Sequence, residues 1–194
     1  MKTRESLLSG AVMMLIGGMA QIAVAANPVT YAGEAALCAV DAATVVPDLI
    51  GNGLVISNYQ TQFYRIETSS ELLNGWEALS LKTKVTKSGN AFNWGTALLK
   101  LDGYEGKNDA LKDNFNILLE PGPPAISGTY EGTGELEGVT VQYYLTPYPI
   151  SEYPDPVLVE MCSEDPPYCE DVDCDFSPTG MFAWSMSGVI YDER

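Results

Sequence analysis

The chain has no histidine among its 194 residues, ten lysines and arginines against twenty-six aspartates and glutamates, and only four cysteines. Without imidazole there is no Ser-His-Asp or Cys-His nucleophilic system and none of the commonest acid–base catalyst. A formal net charge of −16 argues against a nucleic-acid or anionic-lipid partner and suits cations or basic partners. Its plainest role is to keep the protein soluble. GxSxG, HExxH, phosphate-loop and dinucleotide signatures are also missing. After residue 26 no apolar run is long enough to cross a bilayer as a helix. No fixed-period repeat or change of composition divides the remainder, so one domain is expected.

The first 26 residues read differently. Met1-Lys2-Thr3-Arg4-Glu5 is followed by an apolar run from Leu7 through Val24 and by small residues Ala23, Ala25 and Ala26, the three parts of a secretory signal peptide. Cleavage there leaves residues 27–194, about 168 residues, enough for one domain with a substantial core. Without Lys2, Arg4 and Glu5 the balance becomes eight against twenty-five, a net charge of −17. The expected location is secreted or periplasmic, with no membrane attachment after cleavage.

In an exported protein four cysteines read first as two disulfides, with three pairings open. The favoured arrangement is a local Cys169–Cys174 bridge and a long-range Cys38–Cys162 bridge. The long bridge would close a loop worth about 4–5 kcal/mol on the chain-entropy model. A zinc site is the weaker alternative, because the thiols stand among carboxylates and no histidine accompanies them.

Alternation of apolar and polar residues sets the secondary structure. Asn27 to Asp48 is a short helix or a first strand around Cys38. Leu54 to Ser57 and Gln62 to Thr68 are strands, and Ser69 to Gly75 is a polar connection with room for one helical turn. From Glu77, Leu79, Leu81, Thr83 and Val85 alternate with Ser80, Lys82, Lys84 and Thr86. Ser88-Gly89-Asn90 is a hairpin signal, and Phe92 to Leu101 returns as the partner strand. Asp102 to Asp113 reads as a loop, Phe115 to Leu119 as a strand stopped by Pro121-Gly122-Pro123-Pro124. Thr129 to Leu136 and Val139 to Thr146 form a glycine-punctuated hairpin turning at Glu137-Gly138. After a proline- and tyrosine-bearing excursion, Val157 to Met161 reads as a short strand, Cys162 to Ser177 as an acidic stapled loop, and Met181 to Tyr191 as the closing strand. The fold class is therefore all-β, a single antiparallel β-barrel of about eight strands with a disulfide-stapled acidic loop.

Gly132-Thr133-Gly134-Glu135-Leu136-Glu137-Gly138-Val139, preceded by Ile126-Ser127-Gly128-Thr129, resembles the glycine-rich hairpin near the end of allene oxide cyclase-like and dirigent-like small β-barrels. The resemblance spans about twenty residues of the chain. It implies an eight-stranded closed sheet with a ligand pocket inside, and a group that includes cyclases and proteins steering radical coupling. It carries no catalytic residue onto a matching position, and the proline-tyrosine excursion and cysteine loop depart from it. A lipocalin-like barrel or a two-sheet sandwich would give the same strand pattern.

Two sets of residues are candidates for binding. Asp171, Asp173 and Asp175 place carboxylates at the alternating positions of a calcium loop. Phe176 and Phe182 stand where such a loop has its glycine and its closing glutamate, so the plain alternative is a solvated acidic loop. No cofactor other than calcium is suggested. Tyr148, Tyr153, Trp76 and Trp94 offer broad contact area with polar handles, Tyr148 and Tyr153 at a barrel mouth. The expected function is binding of a small molecule or partner protein. The alternatives are a cyclase- or isomerase-like enzyme with Asp, Glu, Asn or Arg65 in the lumen, and an extracellular structural protein that self-associates as a homo-oligomer.

Overall fold

The computed structural model describes residues 27–42, 46–50, 54–85, 90–119 and 125–194. The expected signal peptide and the turn residues Gly51 to Gly53, Ser88 to Gly89 and Pro121 to Pro124 lie outside the described residues.

The strands are β1 (Val29–Asp41), β2 (Val46–Ile50), β3 (Leu54–Thr68), β4 (Gly75–Val85), β5 (Ala91–Leu101), β6 (Ala110–Leu119), β7 (Ile126–Thr133), β8 (Val139–Pro147), β9 (Cys174–Asp175) and β10 (Ala183–Asp192), with one helix, α1 (Pro156–Met161). β3 through β8 pair in sequence, β10 joins β8 to β1, and β1 pairs back onto β3. Eight antiparallel strands thus close into a barrel, as the alternation predicts. β2 pairs with β3 alone, and β9 adds two residues to the far end of β1.

Alternation gives the barrel its inside and outside. Tyr64 and Ile66 on β3, Leu99 on β5, Leu111 on β6, Tyr130 on β7, Val141 and Tyr143 on β8 and Met186 and Ile190 on β10 join one core. At one end, three connections contribute to it. Leu73, in the single turn Glu71–Leu73, and Leu136, in the turn Gly134–Leu136, are buried, and Tyr104 packs against them from the β5–β6 loop. These side chains plug that end.

The glycine-rich hairpin uses its glycines for two different purposes. Gly138 turns the chain with φ +94°, a region that L side chains rarely adopt. Gly128 instead makes room. A Cβ there would collide with the Tyr143 hydroxyl, so only glycine lets that ring lie over β7 and reach Asp113 on β6.

The excursion between β8 and β10 folds back on the outer wall. Leu158 and Met161 of α1 pack against Ala36, Cys38, Trp76 and Ala183, forming a second core outside the barrel. Tyr168 stacks on Phe63 at 5.5 Å between centroids. The disulfides Cys38–Cys162 and Cys169–Cys174 hold this layer down, which is the pairing favoured from sequence. Because the layer covers it, β1 is buried on both faces from Ala35 to Asp41.

Two sequence expectations are corrected. Val157 to Met161 is helix, not strand: the Asp155 carboxylate accepts from the backbone N–H of Val157 at 3.0 Å and Leu158 at 3.4 Å, and Pro156 opens the first turn. That local cap outweighs the β preference of the two valines. Residues 110–113 belong to β6, not to the preceding loop. Asp113 hides the strand from a hydrophobicity reading because it is a carboxylate in phase with inward-facing Leu111, Phe115 and Ile117.

Candidate functional site

The half of the barrel away from the plug is hollow, with a cavity of about 450 Å³. Its walls are mainly apolar: Leu37, Leu79, Leu81, Phe115, Ile117, Ile126, Leu145 and Met186 among others. Phe182 lines it and is also 38 % exposed, so the cavity reaches the surface beside that ring. Phe182 meets Trp184 edge to face at 5.2 Å.

Polar groups gather where the cavity meets the plug. Glu77, on β4, follows the same alternation as Leu79 and Leu81 and so points inward. It is 7 % exposed. The Tyr130 hydroxyl donates to Glu77 Oε1 at 2.5 Å, and the Tyr143 hydroxyl donates to Asp113 Oδ2 at 2.6 Å. The two tyrosine rings lie 4.8 Å apart. Tyr64 donates to Gln62 Oε1 at 2.8 Å.

These contacts set the ionisation of the group. Burial raises the Glu77 carboxyl to about 7, with the Tyr130 hydrogen bond opposing and the nearby Asp113 charge adding to the rise. Burial and the neighbouring carboxylates push the Tyr130 and Tyr143 hydroxyls well above their ordinary range, so both stay protonated donors. Toward the other end of the cavity stands Asn93, on β5. Its Oδ1 is buried and has no hydrogen-bond partner among the described residues.

The residues singled out from sequence fall elsewhere. Trp76 points outward, buried in the second core beneath the Arg65 guanidinium at 5.7 Å. Trp94 lies on the outer face of β5, 36 % exposed. Tyr148 packs on the outer core and Tyr153 is 69 % exposed on the excursion. None of the four lines the cavity. Arg65 also faces out, its guanidinium donating to both carboxylate oxygens of Asp102 at 2.9 and 2.7 Å. Asp171, Asp173 and Asp175 are exposed, and no group of three or more Asp, Glu, Cys or His among the described residues is placed to hold a metal ion.

The signal that would have found Glu77, Asn93 and Asp113 is present in the chain: each is polar and in phase with the apolar stripe of its own strand. No family model, curated protein or solved structure matches the chain.

Proposed function

We propose that this protein binds a small, largely apolar molecule in the lumen of its barrel. The observation that carries the reading is the 450 Å³ cavity with mostly apolar walls and polar groups concentrated at few points. That volume lies within the range of about 300–1,000 Å³ of small-molecule sites, which combine apolar walls with a few placed polar groups. Closure of the sheet weighs against the structural, self-assembling alternative, because among the described residues only short β2 and β9 stand outside the ring. The signal-like start and the two disulfides support an exported location.

A neutral naphthyl fluorophore, phenylnaphthylamine, tests the proposal. Its emission rises in the presence of the purified protein, and Ala97→Trp, which fills the lumen, abolishes the rise. Trp94→Ala, on the outer face, leaves it intact. Emission indifferent to Ala97→Trp in a folded variant overturns the reading.

A second reading, a proton-transfer enzyme of the isomerase or cyclase kind, is favoured by one observation. Glu77, raised to about 7 and hydrogen-bonded by Tyr130, is able to give and take a proton near neutral pH. A lumen ligand recovered unchanged after long incubation speaks for the binder. Conversion that disappears in Glu77→Gln speaks for the enzyme.

A further inference from the structure

The tyrosine hydroxyls that line the cavity are already engaged. The hydroxyls of Tyr64, Tyr130 and Tyr143 each donate to an acceptor within the protein, on Gln62, Glu77 and Asp113 respectively. The Trp184 indole is likewise engaged, with the Tyr64 hydroxyl. Asn93 also lines the cavity, and its Oδ1 is buried with no hydrogen-bond partner among the described residues. Among the described residues the Glu77 carboxyl accepts one side-chain hydrogen bond, from Tyr130 to Oε1, and offers its second oxygen. A ligand seated on the Glu77 carboxylate has to bring an N–H or O–H group.

Charge narrows the choice further. Among the described residues neither lysine nor arginine lines the cavity, while a glutamate does and an aspartate is hydrogen-bonded to one of its tyrosines. A ligand carboxylate or phosphate would enter a low-dielectric site already holding like charge, with no cation to receive it. A protonated amine meets the opposite conditions. It pairs with Glu77 and lies among the rings of Tyr64, Tyr130, Tyr143 and Trp184, whose faces attract cations. The acidic exterior favours its approach.

Resting on the lumen-binding reading above, we propose that the ligand is an apolar amine, its ammonium group seated on Glu77 at the plugged end and its apolar body running toward the open end. Glu77 lies opposite Leu99 and Asn93 opposite Thr83 on the same β4–β5 pair, so the two acceptors are at opposite ends of the site.

The groups that face Glu77 determine its response to pH: Tyr64 from β3, Asp113 from β6, Tyr130 from β7, Tyr143 from β8, and Tyr168 from the outer layer. The tyrosines keep their protons throughout the working range, so Glu77 governs the profile. Ionised Glu77 binds the amine and protonated Glu77 does not.

Phenylbutylamine, phenylbutanol and phenylbutyrate, matched in size and different in head group, test the proposal by calorimetric titration of the mature protein. At pH 8 the amine is expected to bind at least about tenfold tighter than the alcohol, and the acid weakest of all. Between pH 8 and pH 6 amine affinity should fall by about tenfold while that of the alcohol stays level. Glu77→Gln should erase the preference and keep the alcohol. Equal binding of amine and alcohol, tighter binding of the acid, or an amine preference that survives Glu77→Gln overturns the amine and leaves the lumen site standing. Failure of the amine to bind overturns the amine, and binding of all three that survives in a folded Ala97→Trp variant overturns both.

Discussion

Replacing Glu77 by glutamine keeps the shape of the buried side chain and an oxygen for the Tyr130 hydroxyl, and removes only the ability to ionise. In the unfolded chain this carboxyl titrates near its ordinary 4.5, and in the barrel near 7. Between those values the folded state binds more protons than the unfolded state, so the contribution of Glu77 to stability is fully present below 4.5 and is lost as pH rises through 7. At about 1.4 kcal/mol per pH unit, the gap from 4.5 to about 7 amounts to about 3 kcal/mol. The side chain is 7 % exposed, so solvent screening takes little from this figure. Glu77→Gln should therefore match wild type near pH 4 and exceed it by about 3 kcal/mol at pH 8.5. For a domain of this size that is a melting temperature higher by about 6–12 °C. Parallel urea or thermal unfolding of the two proteins across this range gives the difference directly, since the other carboxylates titrate alike in both. A difference that does not change with pH, or a glutamine variant less stable at pH 8.5, would refute the assignment of Glu77 as a buried, destabilising charge.

Removing the long-range bridge by Cys38→Ala with Cys162→Ala should lower stability by about 5 kcal/mol, against about 2 kcal/mol for Cys169→Ala with Cys174→Ala, because the sequence separations are 124 and 5. Chemical denaturation of both double variants under non-reducing conditions measures the contrast. Gly138→Ala should destabilise by about 1–2 kcal/mol by placing a side chain at φ +94°, as read from the midpoint of denaturant unfolding at unchanged slope.

Most of the barrel is legible in the sequence because its strands have one wet face and one dry face. β4, β8 and β10 alternate cleanly, and the glycine-rich hairpin announces its turn. The reading fails where the dry face carries a charge, as at Asp113, or where a local cap overrides side-chain preference, as at Asp155 and Pro156. It also fails to separate the two interiors. Trp76 and Glu77 are neighbours in sequence, yet the tryptophan enters the outer core and the carboxylate enters the lumen. Aromatic content draws attention to the first, while the chemistry belongs to the second. The ring itself is closed by the pairing of β1 with β3, a contact between residues about thirty positions apart that no local pattern encodes.

The wall formed by β1 is enclosed from two directions, with Ala36 and Ala39 fully buried. Such a wall has room for nothing larger on its outer side while the excursion is in place. An ancestral or related barrel that lacked residues 148–182 would expose positions 36, 63 and 76 to water, and should carry polar side chains there. Those three positions, more than overall similarity, are where the acquisition of the covering layer would be recorded.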